Sequence, residues 1–341
     1  MTARNRSLLF LGLAVSALFL FLAFRGLHPE AFIDSLGAVD PLGLLLGAVV
    51  YFGGVVMIAW RWQFLLRSLA LVPLAGLARL VCIGYMGNNV YPFRAGEALR
   101  IFLLRRNHGV PMAGATTVVI VERVFDGVVM LTFIVVALLF IDVESAEIRA
   151  VFSFAAPLFF VALAVFFAAA TFHQQARHLA GFILSRLPAR LGQPLARLAY
   201  GLLDGLAALR SPQNLLGAVV FSYASWMVEA LVYWIVLLAF GLEVGYAVAL
   251  LTVGTVNLAG LIPSSPGQIG VYEFFVSLVV MATASVSQDQ ALAFAIVVHI
   301  VIWLPVTLVG FALLAQQGLG WSAIGRAARD EQAPTQVEAA R

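Results

Sequence analysis

Lysine is missing from the chain, and all 20 of its basic residues are arginine. Without it there is no GK[ST] loop to cradle nucleotide phosphates, so a P-loop energy source within these 341 residues is excluded. Cysteine is almost as scarce. Cys82 stands alone, which permits neither an internal disulfide nor a thiolate metal cage. Charged residues make up 11% of the chain, against about 25% in ordinary globular domains. The patterns G-x-S-x-G, H-E-x-x-H, C-x-x-C and G-x-G-x-x-G are absent too, so the common hydrolase, zincin, redox and dinucleotide signatures give no lead. No metal ligand set and no cofactor is expected.

What fills the chain instead is apolar: 62% hydrophobic residues and a mean hydropathy of +1.01. A soluble body of this size would lack the polar surface to cover itself. The sequence predicts an all-α polytopic membrane protein. Its net charge of +3 does not point to nucleic acid, because the arginines sit in short loops between apolar runs, the positive-inside pattern. The first run, Ser7 to Phe24, follows Arg4 and Arg6 and ends at Arg25 without a small-x-small cleavage site, and reads as a retained span.

Crossing a hydrocarbon core of ~30 Å takes about 20 mostly apolar residues. Six full spans are predicted at 7–24, 41–60, 117–141, 150–171, 214–240 and 290–315. Two further stretches are broken. Residues 74–92 carry Gly84, Gly87, Asn88, Asn89 and Pro92, and 246–287 is interrupted by Pro263-Ser264-Ser265-Pro266-Gly267. Arginines flank the first on both sides, so it enters and leaves from the cytoplasm; carrying the count forward, the second enters and leaves from outside. The expectation is about eight transmembrane helices: six spans plus two broken or re-entrant hairpins of opposite insertion, an inverted-repeat-like plan. Both termini are then cytoplasmic, in a prokaryotic inner membrane. Residues 1–320 form one membrane domain, 174–212 an amphipathic cytoplasmic connector, and 321–341 a disordered tail.

Three constellations could carry chemistry. In the first, Asn88 and Asn89 can cap backbone amides, Pro92 fits a first helical turn, and Arg94, Glu97 and Arg100 recur on one face. A helix start with an adjacent Arg suits an anion, and Arg94 can clamp a phosphate bidentately. An ordinary cytoplasmic turn with a solvated ion pair is the plainer reading. The second is Glu122, Arg123 and Asp126 inside an apolar run, where each charge costs at least ~2.5 kcal/mol. Glu122 and Asp126 call for a cation, with Arg100 or Arg94 as candidate partner; a structural ion-pair network is the alternative to a role in charge balance or proton exchange. The third is Leu261 to Phe275, where Ser264 or Ser265 caps, Pro266 starts a helix, Gly267 and Gly270 allow close approach, and Glu273 points into a cavity. Glu229 and His299 are lone ionisable groups on spans, for which an interhelical hydrogen bond is the simplest reading. Gly43-x-x-x-Gly47 suggests close helix packing rather than dimerisation, although a homodimer stays open.

These residues resemble the flippase-like transmembrane family related to the membrane domain of bacterial lysylphosphatidylglycerol synthases. The marks are N-N-x-x-P-x-R-x-G-E-x-x-R from Asn88 to Arg100, E-R-x-x-D from Glu122 to Asp126, and P-x-x-P-G-x-x-G-x-x-E from Pro263 to Glu273. Gln268 stands where members of the family often have a further Gly. The resemblance implies movement of a lipid between leaflets: anionic, aminoacylated or polyprenyl-linked, with a separate lipid-modifying enzyme as a possible partner. It does not imply the synthase reaction, which belongs to a soluble domain. Arg94 and Arg100 would hold the phosphate, Asn88 and Asn89 position it, Glu97, Arg123, Ser264, Ser265, Gly267 and Gly270 add substrate contacts, and Glu97, Glu122, Asp126, Glu229 and Glu273 balance charge or move protons. The alternatives are a membrane-embedded transferase with carboxylate bases, or a non-transporting accessory in a glycolipid, polyprenyl-phosphate or hopanoid pathway.

Overall fold

The computed structural model describes residues 3–92, 94–141, 172–186 and 211–317, with scattered positions between 157 and 200. The expected span 150–171, most of the connector 174–212 and the tail 321–341 lie outside the described residues. Eleven α-helices and no strand occur among those described: α1 Ala3–Phe24, α2 Pro29–Gly37, α3 Pro41–Leu66, α4 Leu74–Val90, α5 Ala95–His108, α6 Met112–Phe140, α7 His173–Leu184, α8 Pro212–Ala239, α9 Tyr246–Ala259, α10 Val271–Ala284 and α11 Gln288–Gln316. Pro266–Gln268 adds a 3-10 turn. Five helical segments are long and apolar enough to cross a membrane, and six if the bent pair α1 and α2 counts as one. Helix α2 occupies the stretch between the expected spans 7–24 and 41–60, where no helix is predicted, and turns 87° away from α1.

Local chemistry sets the boundaries. Asp40 accepts from the Leu42 and Gly43 amides to start α3, and Ser287 accepts from Gln290 to start α11. Gly109, at φ +68°, stops α5 just after Arg105, Arg106 and His108, cations placed where the helix dipole favours them. The bundle packs through small residues, as helices surrounded by lipid must. A Cβ on Gly43 would come within 2.7 Å of Ala239, and one on Gly47 would touch Val236 and Val301. The glycine pair read as a close-packing device therefore joins α3 to α8. The outer surface is apolar, with Leu42 73% and Phe10 68% exposed.

The two ends of the bundle are distinct. At one, Arg67 reaches Asn214, Asn107 reaches Gln317, and Gly76 sits against His108. At the other, the Asp40 amide donates to Ala239, Gln288 donates to the Ala23 and Arg25 carbonyls, and His28 meets Asp289. Helices α4 and α5 enter from the first end and turn back at residues 91–94. Helices α9 and α10 enter from the second and break at 260–270. The two breaks meet inside the bundle, where Gly267 lies against the Asn89 carbonyl and the Trp303 ring.

Candidate functional site

Buried charge gathers beside the first break. Arg61, 1% exposed, donates through Nη1 to Asp126 and through Nη2 to Glu122, both at 2.6 Å. Trp62 Nε1 donates to Glu122 at 2.8 Å, and Trp226 Nε1 to Asp126 at 2.7 Å. Arg123 closes the other side, with Nη2 2.8 Å from Glu122 and 3.2 Å from Asp126. Arg100, 2% exposed, lies 3.4 Å from Glu122 with its guanidinium over the Trp62 ring. Breaking such a pair strands a charge, so this knot fixes α3, α5, α6 and α8 against one another.

Glycine makes room for it. Gly84 faces the Arg100 stem, Gly87 faces the Gly96 backbone, and a Cβ on Gly96 would run into the Gly84 carbonyl. The α4–α5 hairpin is consequently closer than any side chain allows. Asn88 Oδ1 accepts from the Gly96 amide at 2.9 Å, and Arg94 turns the corner in the left-handed region at φ +52°.

A cavity of about 430 Å³ lies where the two breaks meet. The first break contributes Asn88, Asn89, Tyr91 and Arg94, and the second contributes Gly260 through Gln268. Arg94 spans the gap, its Nη2 donating to the Gly260 carbonyl at 3.2 Å. Arg94 and Arg123, with side chains 38% and 36% exposed, are the cationic groups that line it, and Glu97 sits 3.7 Å from each. Glu229, Asn257 and His299 line the far wall together with Tyr51, Tyr233 and Trp303.

The model of the lysylphosphatidylglycerol synthase TM region family matches residues 9–310. The chain belongs to that family. It is 27% identical to glycosyltransferase AglD of Haloferax volcanii over 327 residues, covering 85% of this chain but 51% of AglD, so it spans about half the length of that relative. It is also 23% identical to a UPF0104 membrane protein of Methanothermobacter thermautotrophicus over 280 residues, 76% of this chain and 79% of that one. A multi-pass membrane protein is the shared ground of the family match and the helices.

Within this family member, the three motifs expected to hold a site do meet, but several roles change. Arg100, read as a phosphate ligand, is enclosed by Trp62 and Glu122 and faces no cavity. The cation for Glu122 and Asp126 is Arg61 more than Arg100, and Arg94 does not pair with them. Arg61 lies just past the expected span 41–60; its place between Trp60 and Trp62, on a helix running to Leu66, was the available signal. Asn88 caps as expected, whereas Asn89 donates to Thr307 at 2.8 Å. Pro92 falls before α5, whose first residue is Ala95.

In the second break neither Ser264 nor Ser265 caps through its side chain. Ser265 instead donates its amide to Ser16 of α1 at 2.8 Å. Gly267 and Gly270 take φ of +69° and +93°, and Gln268 follows at +58°, so the position where relatives often carry Gly keeps a glycine-like backbone. Glu273 does not point into the cavity. It turns back to accept from the Gly270 amide and meets His299 Nδ1, both at 2.6 Å. His299 thus has the interhelical partner expected of it, and Glu229 lies beside Asn257. The aromatic lining was invisible in the sequence, where the Tyr and Trp residues on 41–60, 214–240 and 290–315 carry no mark of which face the cavity.

Proposed function

We propose that this chain carries a phosphate-bearing lipid across the bilayer, with the headgroup held between the two helix breaks. The observation that carries the reading is the cavity itself: it is bounded by hairpins entering from opposite ends, and its walls hold Arg94 and Arg123. Broken helices of opposite entry suit alternating access around a fixed site. A guanidinium suits a phosphodiester oxygen pair better than any other side chain does. Arg94 and Arg123 take the phosphate; Glu97 sets their positions, and the Arg61 knot holds the scaffold. With no nucleotide loop in these 341 residues, the driving force is a lipid gradient, an ion gradient, the membrane potential or a partner. The chain sits in the cytoplasmic membrane with its arginine-rich end inside.

Leaflet-resolved labelling in proteoliposomes tests this. The wild type should move an anionic phospholipid faster than empty liposomes do, and Arg94→Ala should weaken lipid binding by roughly tenfold or more, the worth of a charged hydrogen bond. Equal rates with and without protein, for each anionic and polyprenyl-phosphate lipid tried, would reject it. The likeness to AglD, which is named a glycosyltransferase, favours a second reading in which the cargo or partner belongs to a glycolipid pathway. Product formation from a lipid-linked sugar by the purified chain would replace transport with catalysis.

A further inference from the structure

Glu229 is the acid that lines the cavity, and no salt bridge to it occurs among the described residues. Glu122, Asp126 and Glu97 each meet at least one guanidinium, and Glu273 meets His299. Glu229 has Asn257 beside it and Asp126 near enough to repel it. Around it stand Tyr51 of α3, Tyr85 of α4, Tyr233 of its own helix, Tyr272 of α10 and His299 of α11, with Arg94 and Arg123 lining the same space. Tyr233 and Tyr272 join hydroxyl to hydroxyl, and the Tyr272 ring stacks on His299 at 4.0 Å.

The charge count then has a consequence. Arg61, Arg94, Arg100 and Arg123 are four cations, and Glu97, Glu122, Asp126 and Glu229 are four anions. The Glu273–His299 pair adds no net charge when the imidazole is protonated. With that imidazole protonated, the empty site is balanced while Glu229 is ionised. A phosphodiester entering it brings a fifth negative charge into a region of low dielectric, where like charges disfavour each other strongly. Of the four acids, Glu229 is the one whose protonation breaks no ion pair found among the described residues. We infer that binding of a phosphodiester lipid in this cavity draws one proton onto the Glu229 carboxylate, so that lipid and proton travel as a pair. The proton comes from the aqueous phase on the side where the lipid enters and returns to water when the phosphate leaves.

The inference rests on the phosphate site proposed above, and the experiment separates the two. Dioctanoyl phosphatidylglycerol is titrated into the purified full chain in weakly buffered detergent, with a pH dye reporting proton uptake and calorimetry reporting binding. Uptake should approach about one proton per lipid bound at a pH where Glu229 is ionised in the empty protein. In Glu229→Gln binding should persist and uptake vanish. Because the bound state holds the extra proton, wild-type affinity should fall as pH rises, by up to about tenfold per unit, and the variant should lose that slope. Binding with no proton uptake and a flat pH profile in the wild type would overturn the coupling and leave the phosphate site standing. No binding to the wild type would overturn both. The wild-type pH profile decides the matter even if the variant does not fold.

Discussion

At the scale of single residues, the arginines divide by what they can still do. Arg61 and Arg100 are shut away from any ligand: their guanidinium groups are enclosed by carboxylates and indole rings and hold helices together. Arg94 and Arg123 face open space with part of their hydrogen-bonding capacity free for a ligand. Arg61→Ala should therefore cost about 3–5 kcal/mol, because it removes the 2.6 Å donor from each of two buried acids and leaves the half-buried Arg123 to bridge them. The check is thermal unfolding in detergent together with the yield of monodisperse protein; a midpoint within a degree of wild type would contradict the knot. Gln268 makes the opposite case. Its φ of +58° strains a side-chain-bearing residue by roughly 1–2 kcal/mol, partly offset by the unfolded-state entropy that glycine adds. Gln268→Gly should be neutral or stabilising by up to about 1 kcal/mol, read by the same melt. Clear destabilisation would mean that the Gln268 side chain, seated against Gly260, matters more than its backbone.

Among the elements, the two broken hairpins differ in how they are held. The first closes on itself through glycine. Gly96→Ala should open it, since the added methyl meets the Gly84 carbonyl, and a loss of about 1–3 kcal/mol is expected from overpacking. Retained stability and lipid binding in that variant would show that the hairpin is looser than described. The second break leans on other helices, through Ser16 of α1 and through His299 of α11 by way of Glu273. This difference explains what was legible beforehand. The breaks themselves were visible, because Gly, Pro and paired Asn interrupt runs that are otherwise uniformly apolar. The fate of each polar group was not, since partners lie far away in the chain: Arg61 to Asp126 spans 65 residues and Ser16 to Ser265 spans 249. A lone carboxylate on a span announces that a partner exists, and it does not say which helix brings it. Helix α2 escaped notice for a related reason. Its Pro29 start and acidic first turn are ordinary helix openings, but the segment is too short and too polar to register as a span.

For the molecule as a whole, the arrangement of its two ends is the part that a cell-based experiment can reach directly. Cys82 is buried, so the natural chain offers little background to a thiol reagent. Cysteines placed singly at His108 and at Gly241 belong to opposite ends of the bundle. A membrane-impermeant maleimide should label Gly241→Cys from outside intact cells and His108→Cys only in inverted vesicles. Labelling of both from one side would refute the opposed entry of the hairpins, and reversal of the two would turn the arginine-rich end outward.

One contact ties these scales together. The Arg94 guanidinium reaches across to the Gly260 carbonyl, so in the empty protein it acts as a clasp between the two halves. Any anion that recruits this side chain competes with the clasp for the same donors. On the proposed reading, loading the cavity and unfastening the halves would draw on a single set of N–H groups, which would place the trigger for movement on the cargo itself.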